Sequence, residues 1–222
     1  MPSKKTDTLD KTGQPSESNS TRQRILDEAL NLFAQHGYAG TSMRMLARAT
    51  GLRESSLYNH FSGKDDLYQS TLAQWGPAAF VSKLKSAEYR ALSDRPVTFF
   101  HICAEHLMDR WLDRHEQLFM AAINFEGLKS DAKKRFYGAL FHDEIDLLEE
   151  YFVGFAAKGL IRPSPAPRET ARIFASGLTF IRMEHVSMRD TPSRRSDLEQ
   201  AVTRYIDNFV ALTGASDQPS QP

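Results

Sequence analysis

Residues 21–68 read TRQRILDEALNLFAQHGYAGTSMRMLARATGLRESSLYNHFSGKDDLY, and their spacing decides the fold of the amino-terminal part of the chain. Ile25, Leu26, Ala29, Leu30 and Phe33 recur at three and four residues, which is one face of an amphipathic helix. Ser20, with Gln23 three residues on, gives that helix a capping-box start. Gly37 can take the left-handed conformation that closes it. Thr41 or Ser42 then caps a second, short helix to about Thr50, Gly51 turns the chain, and a third short helix runs from about Arg53 to His60. Ser62-Gly63-Lys64 breaks the chain again, and Asp65 and Asp66 favour a fourth helix by complementing its positive end. Two short helices joined by a glycine turn are the helix-turn-helix layout. Leu46, Ala47, Leu52, Leu57 and Phe61 are spaced to pack that pair onto the first helix, Ala47 being small enough for close approach. What stays outward on the third helix is Glu54, Ser55, Ser56, Tyr58, Asn59 and His60. That face is short, polar and rich in donors, and suits base edges in a major groove about 12 Å wide.

Outside this stretch the chain is ordinary in bulk. Of 222 residues 41% are apolar, enough for a sizeable core, and 28 basic residues balance 28 acidic ones. Neutrality argues against a strongly basic nucleic-acid-coating protein but leaves room for a local basic face. Residues 21–66 carry six Lys/Arg (22, 24, 44, 48, 53, 64) against five Asp/Glu (27, 28, 54, 65, 66), a weak bias. The lone Cys103 can form neither an internal disulfide nor a thiolate metal cage, and reads as a buried thiol. Residues 1–20 and 214–222 have little to bury and read as disordered, with Lys4, Lys5 and Lys11 as solubilising charges or a source of non-specific affinity. No signal peptide is evident, and apolar runs fall far short of the roughly 20 residues of a membrane span, so a soluble cytoplasmic protein is expected.

No strand-period segment stands out, and the expected class is all-α with about nine helices. The fourth is interrupted near Gly76 and Pro77; a fifth starts at Pro96 and carries Phe99, Ile102, Cys103, His106 and Leu107. A sixth covers about 117–125, and a long one 131–158, with Phe136, Leu140, Phe141, Leu147, Leu148, Tyr151, Phe152 and Phe155 inward. Gly159 and the prolines at 163, 165 and 167 end it, and the last two helices span 168–189 and 193–212. The divisions expected are 1–20 as an arm, 21–66 as the helix-turn-helix, 67–213 as a larger helical domain and 214–222 as a tail.

The quoted stretch also resembles the DNA-binding domain of the TetR family of bacterial transcription regulators. The matching pieces are RILDEALNLFAQHGYAGTS, then Leu46-Ala47 with Gly51 four residues on, then SLYNHFSGKDDLY, about 48 residues in all. The resemblance implies that Thr41 and Ser42 bond a phosphate at the start of the second helix, and that Arg44 reaches a guanine or a phosphate. It implies further that Ser55, Ser56, Tyr58, Asn59 and His60 meet the groove, and that Lys64 pairs with a phosphate. Glu54 departs from the pattern; a carboxylate there repels phosphate but can accept from cytosine N4.

A module this small gains affinity as a pair on half-sites about 34–36 Å apart. The expected dimer surface is Phe174, Gly177, Ile181, Leu198, Val202, Tyr205, Ile206 and Phe209 on the last two helices, as a four-helix bundle in proteins resembling this one. The resemblance also implies an effector cavity in the larger domain. Its expected lining is Trp75, Phe99, Ile102, His106, Phe119, Ile123, Phe141, Phe180 and Glu184, with His101 and His142 as further polar candidates, and the effector is expected to be small and apolar or aromatic. Together these give a ligand-responsive repressor that binds a palindromic operator as a homodimer, with no cofactor and no metal. An activator with the same head, or a helical scaffold without DNA, are the competing readings. Catalysis is disfavoured: HExxH, Walker, GxSxG and GxGxxG patterns are missing, and no Glu precedes a His by three.

Overall fold

The computed structural model describes residues 17–76, 78–125, 127, 131–138, 142–187 and 193–218; of residues 17, 18, 78, 79, 132, 135 and 136 it describes the backbone. Lys4, Lys5, Lys11, Leu140 and Phe141, and the side chain of Phe136, lie outside the described residues. The regular elements among the described residues are all helices, with no strand among them. They form two compact units: residues 1–75 with 118–127, and residues 76–117 with 128–222.

In the first unit, α1 (Glu17–Gly40) starts three residues before the expected cap at Ser20. Its stripe of Ile25, Leu26, Ala29, Leu30 and Phe33 is fully buried, and each of the large members contributes about 1.5–3 kcal/mol. The helix is broken at Gly37, whose φ of 66° and ψ of 176° are a conformation that side chains disfavour. A Cβ there would also sit 3.0 Å from Phe125, so the glycine serves both the break and a close approach. α2 (Met43–Thr50) is capped by Ser42, whose Oγ accepts from the Met45 N–H at 3.2 Å, and closed by Gly51 at φ 68°. α3 (Glu54–Tyr58) follows at once, and Leu57 and Phe61 anchor it inward. α4 (Lys64–Trp75) buries Leu67, Tyr68 and Thr71, and the Tyr68 ring stacks edge-on to Phe33 at 4.9 Å. Residues 67–75 and 118–127 therefore belong with the head, although the expected boundary fell at 66. Periodicity marks a buried stripe but not which unit it faces.

The second unit opens with α5 (Ala78–Leu84) and α6 (Ala87–Arg90), followed by α7 (Pro96–Leu112), α8 (Arg114–Phe125, of which residues 118–125 cluster with the first unit) and α9 (Asp131–Gly138). Then come α10 (Glu144–Ala157), α11 (Pro167–Arg182), widened into a π-helical turn over Met183–Ser187, and α12 (Arg195–Thr213). The helix expected over 131–158 is described in two stretches, α9 and α10; residues 139–141 lie outside the described residues. Pro96 and Pro167 occupy first-turn positions, where a missing N–H costs nothing. An aromatic cluster holds the unit together. Phe100 meets Phe152, Phe174 and Phe209 at ring distances of 5.5, 5.2 and 5.2 Å, and Phe99 meets Phe155 at 5.4 Å. Cys103 is buried, as its helical register suggests.

The expected tail is structured as far as Gln218. Gly214 closes α12 at φ 62°, and Ser216 N–H donates to Leu160 O at 3.0 Å. Asp217 then caps α7: its carboxylate accepts from Val97 N–H at 2.7 Å and from the Thr98 hydroxyl at 2.5 Å. Composition could not reveal this, because one carboxylate that meets a helix end about 120 residues away leaves no local pattern.

Candidate nucleic-acid interface

The polar residues of the head divide into a committed set and a spare set. Thr41 is buried, and its hydroxyl donates inward, to Gly37 O at 2.8 Å with Leu32 O at 3.2 Å. This corrects the expectation that its hydroxyl bonds a phosphate: the side chain holds the α1–α2 turn. Lys64 is committed as well. Its ammonium donates to Tyr38 O and Thr41 O, both at 2.9 Å, and lies 4.2 Å from the centre of the Tyr38 ring. Two of its three N–H bonds are spent on the fold, and one remains. Ser42 is exposed, but its oxygen already accepts the helix cap.

The spare set is the one that the spacing points to. Arg44, Glu54, Ser55 and Asn59 are exposed, Tyr58 is 53% exposed, and Ser56 and His60 are half-buried. Among the described residues none of these seven side chains makes a hydrogen bond or an ion pair. Leu57, fully buried between them, and Phe61 fix the rotation of α3. A glycine turn at 51 and the backbone bond from Leu52 N–H to Ala47 O at 3.0 Å set its angle to α2. The outcome is a short helix that presents unpaired donors and acceptors on a rigid support, which is what groove readout requires.

In the second unit, sequence spacing locates the inward faces but assigns them wrongly. Phe174, Ile181, Leu198, Val202, Ile206 and Phe209, expected between subunits, are buried within one chain. Gly177 and Tyr205 also meet each other in that chain. The Tyr205 hydroxyl donates to Ile173 O and Phe174 O at 2.8 and 2.9 Å, and its ring passes 2.2 Å from where a Cβ on residue 177 would stand. An apolar stripe looks the same whether its partner is the chain's own core or a second copy. The exposed apolar residues of these elements are Ile173, Phe180 at 67%, Met183 and Leu212.

The expected effector residues do not converge either. Trp75, Phe119 and Ile123 cluster with the first unit, and Phe180 and Glu184 are exposed. His101 and His142 are exposed too. Phe99 is sealed in the aromatic cluster, Ile102 is half-buried, and the Nδ1 of His106 is bonded to the Tyr89 hydroxyl at 2.9 Å. The second unit does hold a small, partly open cavity of about 60 Å³, lined chiefly by Trp111, Phe174 and Leu178 with Arg110, Glu116, Glu144 and Arg182, and a wider pocket of about 410 Å³ beside Leu84, Leu147 and Tyr151; none of the described residues expected at the effector site lines either. Glu116, 4% exposed, receives Arg110 Nε at 2.9 Å and Arg182 Nη2 at 3.0 Å. Burial pushes the Glu144 carboxyl up to about 8; Arg110 opposes that rise and Glu116 adds to it. The signal that sequence reading missed is Arg182 in register with Phe174 and Leu178, a charge within a buried stripe. Among the described residues no group of three His, Cys, Asp or Glu could hold a metal, and no helix is long and apolar enough to cross a membrane.

Comparisons with known proteins bear on both units. The model of the bacterial regulatory proteins, tetR family, matches residues 25–71. The HTH-type transcriptional regulator AcrR of Shigella flexneri is 46% identical over 52 residues, 23% of this chain and 24% of its own. The HTH-type transcriptional repressor AcnR of Corynebacterium glutamicum is 41% identical over 49 residues, 22% and 26% of the two chains. The chain thus spans about a quarter of the length of these curated relatives. Over 92% of this chain and 96% of the other, it superposes on SmeT, repressor of the Stenotrophomonas maltophilia multidrug efflux pump SmeDEF, with a TM-score of 0.67 at 19% identity. A SmeT–triclosan complex gives 0.68 at 20% identity over 91% and 96% of the two chains. Identity this low extends the likeness of fold, and nothing more, to the second unit. The likeness to the tetR family of bacterial regulatory proteins thus lies in the amino-terminal head, over residues 25–71.

Proposed function

We propose that the protein is a cytoplasmic, ligand-responsive transcription repressor that binds a palindromic operator as a homodimer, α3 of each head entering the major groove. The observation that carries this reading is the spare polar set on α3: unpaired, outward and fixed from beneath by Leu57 and Phe61. Arg44 reaches a phosphate or a guanine from α2, the backbone N–H groups at the start of that helix face a phosphate, and the remaining N–H of Lys64 supports a second phosphate. Repression is favoured by relatives whose names say repressor, and effector response by the triclosan complex of SmeT. Subunits pair through Ile173, Phe180 and Met183, with Leu212 of α12, which are the exposed apolar residues there. A helical scaffold has no use for the spare set.

Fluorescence anisotropy with duplex DNA at rising salt tests the reading. Affinity should fall linearly on a log–log plot, and Arg44→Ala should reduce the slope. A duplex affinity indifferent to salt, or no binding at all, contradicts it. Replacing Ile173 and Phe180 by Glu should give monomers by light scattering; an unchanged mass refutes the proposed pairing.

A further inference from the structure

The wider pocket of the second unit, about 410 Å³, lies where the end of α5, α6 with the turn after it, and α10 come together. It falls within the roughly 300–1,000 Å³ of small-molecule sites. The smaller cavity, at about 60 Å³, is under half the roughly 150 Å³ in which benzene sits. Leu84, Leu147 and the Tyr151 ring give the wider pocket its apolar walls. That ring is already fixed: its hydroxyl donates to Leu84 O at 2.9 Å, and its centre is 4.5 Å from that of Phe99. A wall ordered in advance costs a ligand less to bind. Gly154 lines the same pocket, and neither backbone nor packing among the described residues requires it. It stands inside α10 without a positive φ, so no left-handed turn needs it. A Cβ there would meet no atom within 4 Å, so no close neighbour needs it either. Glycine inside a helix weakens that helix relative to alanine. What it provides is bare backbone, on which a flat group can lie.

Charge narrows the ligand further. Lys85, Arg90, Lys158 and Glu150 are the charged residues of the lining. Lys158 is spent within the fold, on Ser93 O at 3.0 Å and on the Asp94 carboxylate. Lys85, Arg90 and Glu150 are exposed and make no hydrogen bond or ion pair among the described residues. Two free cations therefore face one free carboxylate, a surplus of one positive charge, and the guanidinium fork of Arg90 matches a carboxylate. A rigid ring also surrenders less freedom on binding than an alkyl chain. We propose that this pocket binds an aromatic monocarboxylate as the effector: its ring system lies on Gly154 between Leu84, Leu147 and Tyr151, and its carboxylate accepts from Arg90 and Lys85. The role of effector rests on the reading of the protein as a ligand-responsive regulator; the site itself rests on the second unit alone.

Naphthoate is titrated into the full-length protein by calorimetry, with naphthamide and octanoate as controls, and duplex affinity is read by anisotropy with and without it. Saturable binding of naphthoate is expected, with naphthamide weaker by roughly tenfold or more and octanoate weaker than naphthoate. Arg90→Ala should weaken binding by about tenfold. Glu150→Gln removes the opposing carboxylate and should tighten binding by about threefold, a gain that no folding defect produces. Gly154→Ala should raise the urea midpoint yet weaken naphthoate binding, because the new methyl occupies the floor of the pocket. No saturable binding of naphthoate, equal binding of naphthamide, tighter binding of octanoate, or a Gly154→Ala variant that binds as before overturns the assignment. If duplex binding persists while naphthoate is ignored, the ligand class falls and the regulator reading stands. Naphthoate binding that Arg90→Ala weakens, without any duplex binding, supports the site and overturns the regulator.

Discussion

The two units treat polar side chains in opposite ways. In the head, Arg44, Glu54, Ser55, Tyr58 and Asn59 stand outward without partners among the described residues, on a support held by Lys64, Thr41 and Leu57. In the second unit, Glu116 and Glu144 are buried, and Glu116 pairs with both Arg110 and Arg182. Groups left in water cost the fold little, so the head can be stable and still offer its readout face. Groups taken out of water need partners within the fold to offset the loss of hydration. Substitutions in the first set should change binding and spare stability, whereas those in the second should change stability.

The largest expected effect is in the second unit. Phe174→Ala removes a ring packed on Phe100, Phe152 and Phe209 and should lower stability by about 3–5 kcal/mol in urea denaturation. Survival of the full transition would place that ring outside the core. The next concerns pH. Glu144 rises from an ordinary 4.5 to about 8 on folding, so its neutral form favours the native state. Its stabilising effect is complete below about 4.5 and is lost as pH rises through about 8, an effect of a few kcal/mol. Glu144→Gln should flatten the decline between about pH 5 and about pH 9; an unchanged decline would assign it to another group.

Smaller effects fall on the head. Tyr58→Ala should weaken duplex binding by about 1–3 kcal/mol and leave the denaturation midpoint in place, which anisotropy and urea curves read together. A shifted midpoint would make Tyr58 a packing residue and blur the contrast. Ser42→Ala removes the α2 cap and should cost about 1 kcal/mol of stability, with a modest loss of affinity.

How much of this was legible in the sequence follows the same division. Helix order, the glycine turn at 51, and the outward set on α3 were readable because each depends on residues within four or five positions. The roles of Thr41 and Lys64 were not, since hydroxyl and ammonium look alike in sequence whether they face a phosphate or a nearby backbone carbonyl. Phe174, Ile206 and Phe209 were rightly found to be apolar-face residues, but periodicity does not name the surface that covers them. The cavity was missed because its charged wall is assembled from α7, α8, α10 and α11, with Arg110 and Arg182 some seventy residues apart. Asp217 capping α7 escaped for the same reason.

Selecting bound duplexes from a random pool with the intact protein tests the central claim most directly. Enrichment of an inverted repeat, its halves about one helical turn apart, that is lost in Tyr58→Ala is the predicted result. A pool that returns unenriched, or a motif that Tyr58→Ala retrieves unchanged, would contradict it.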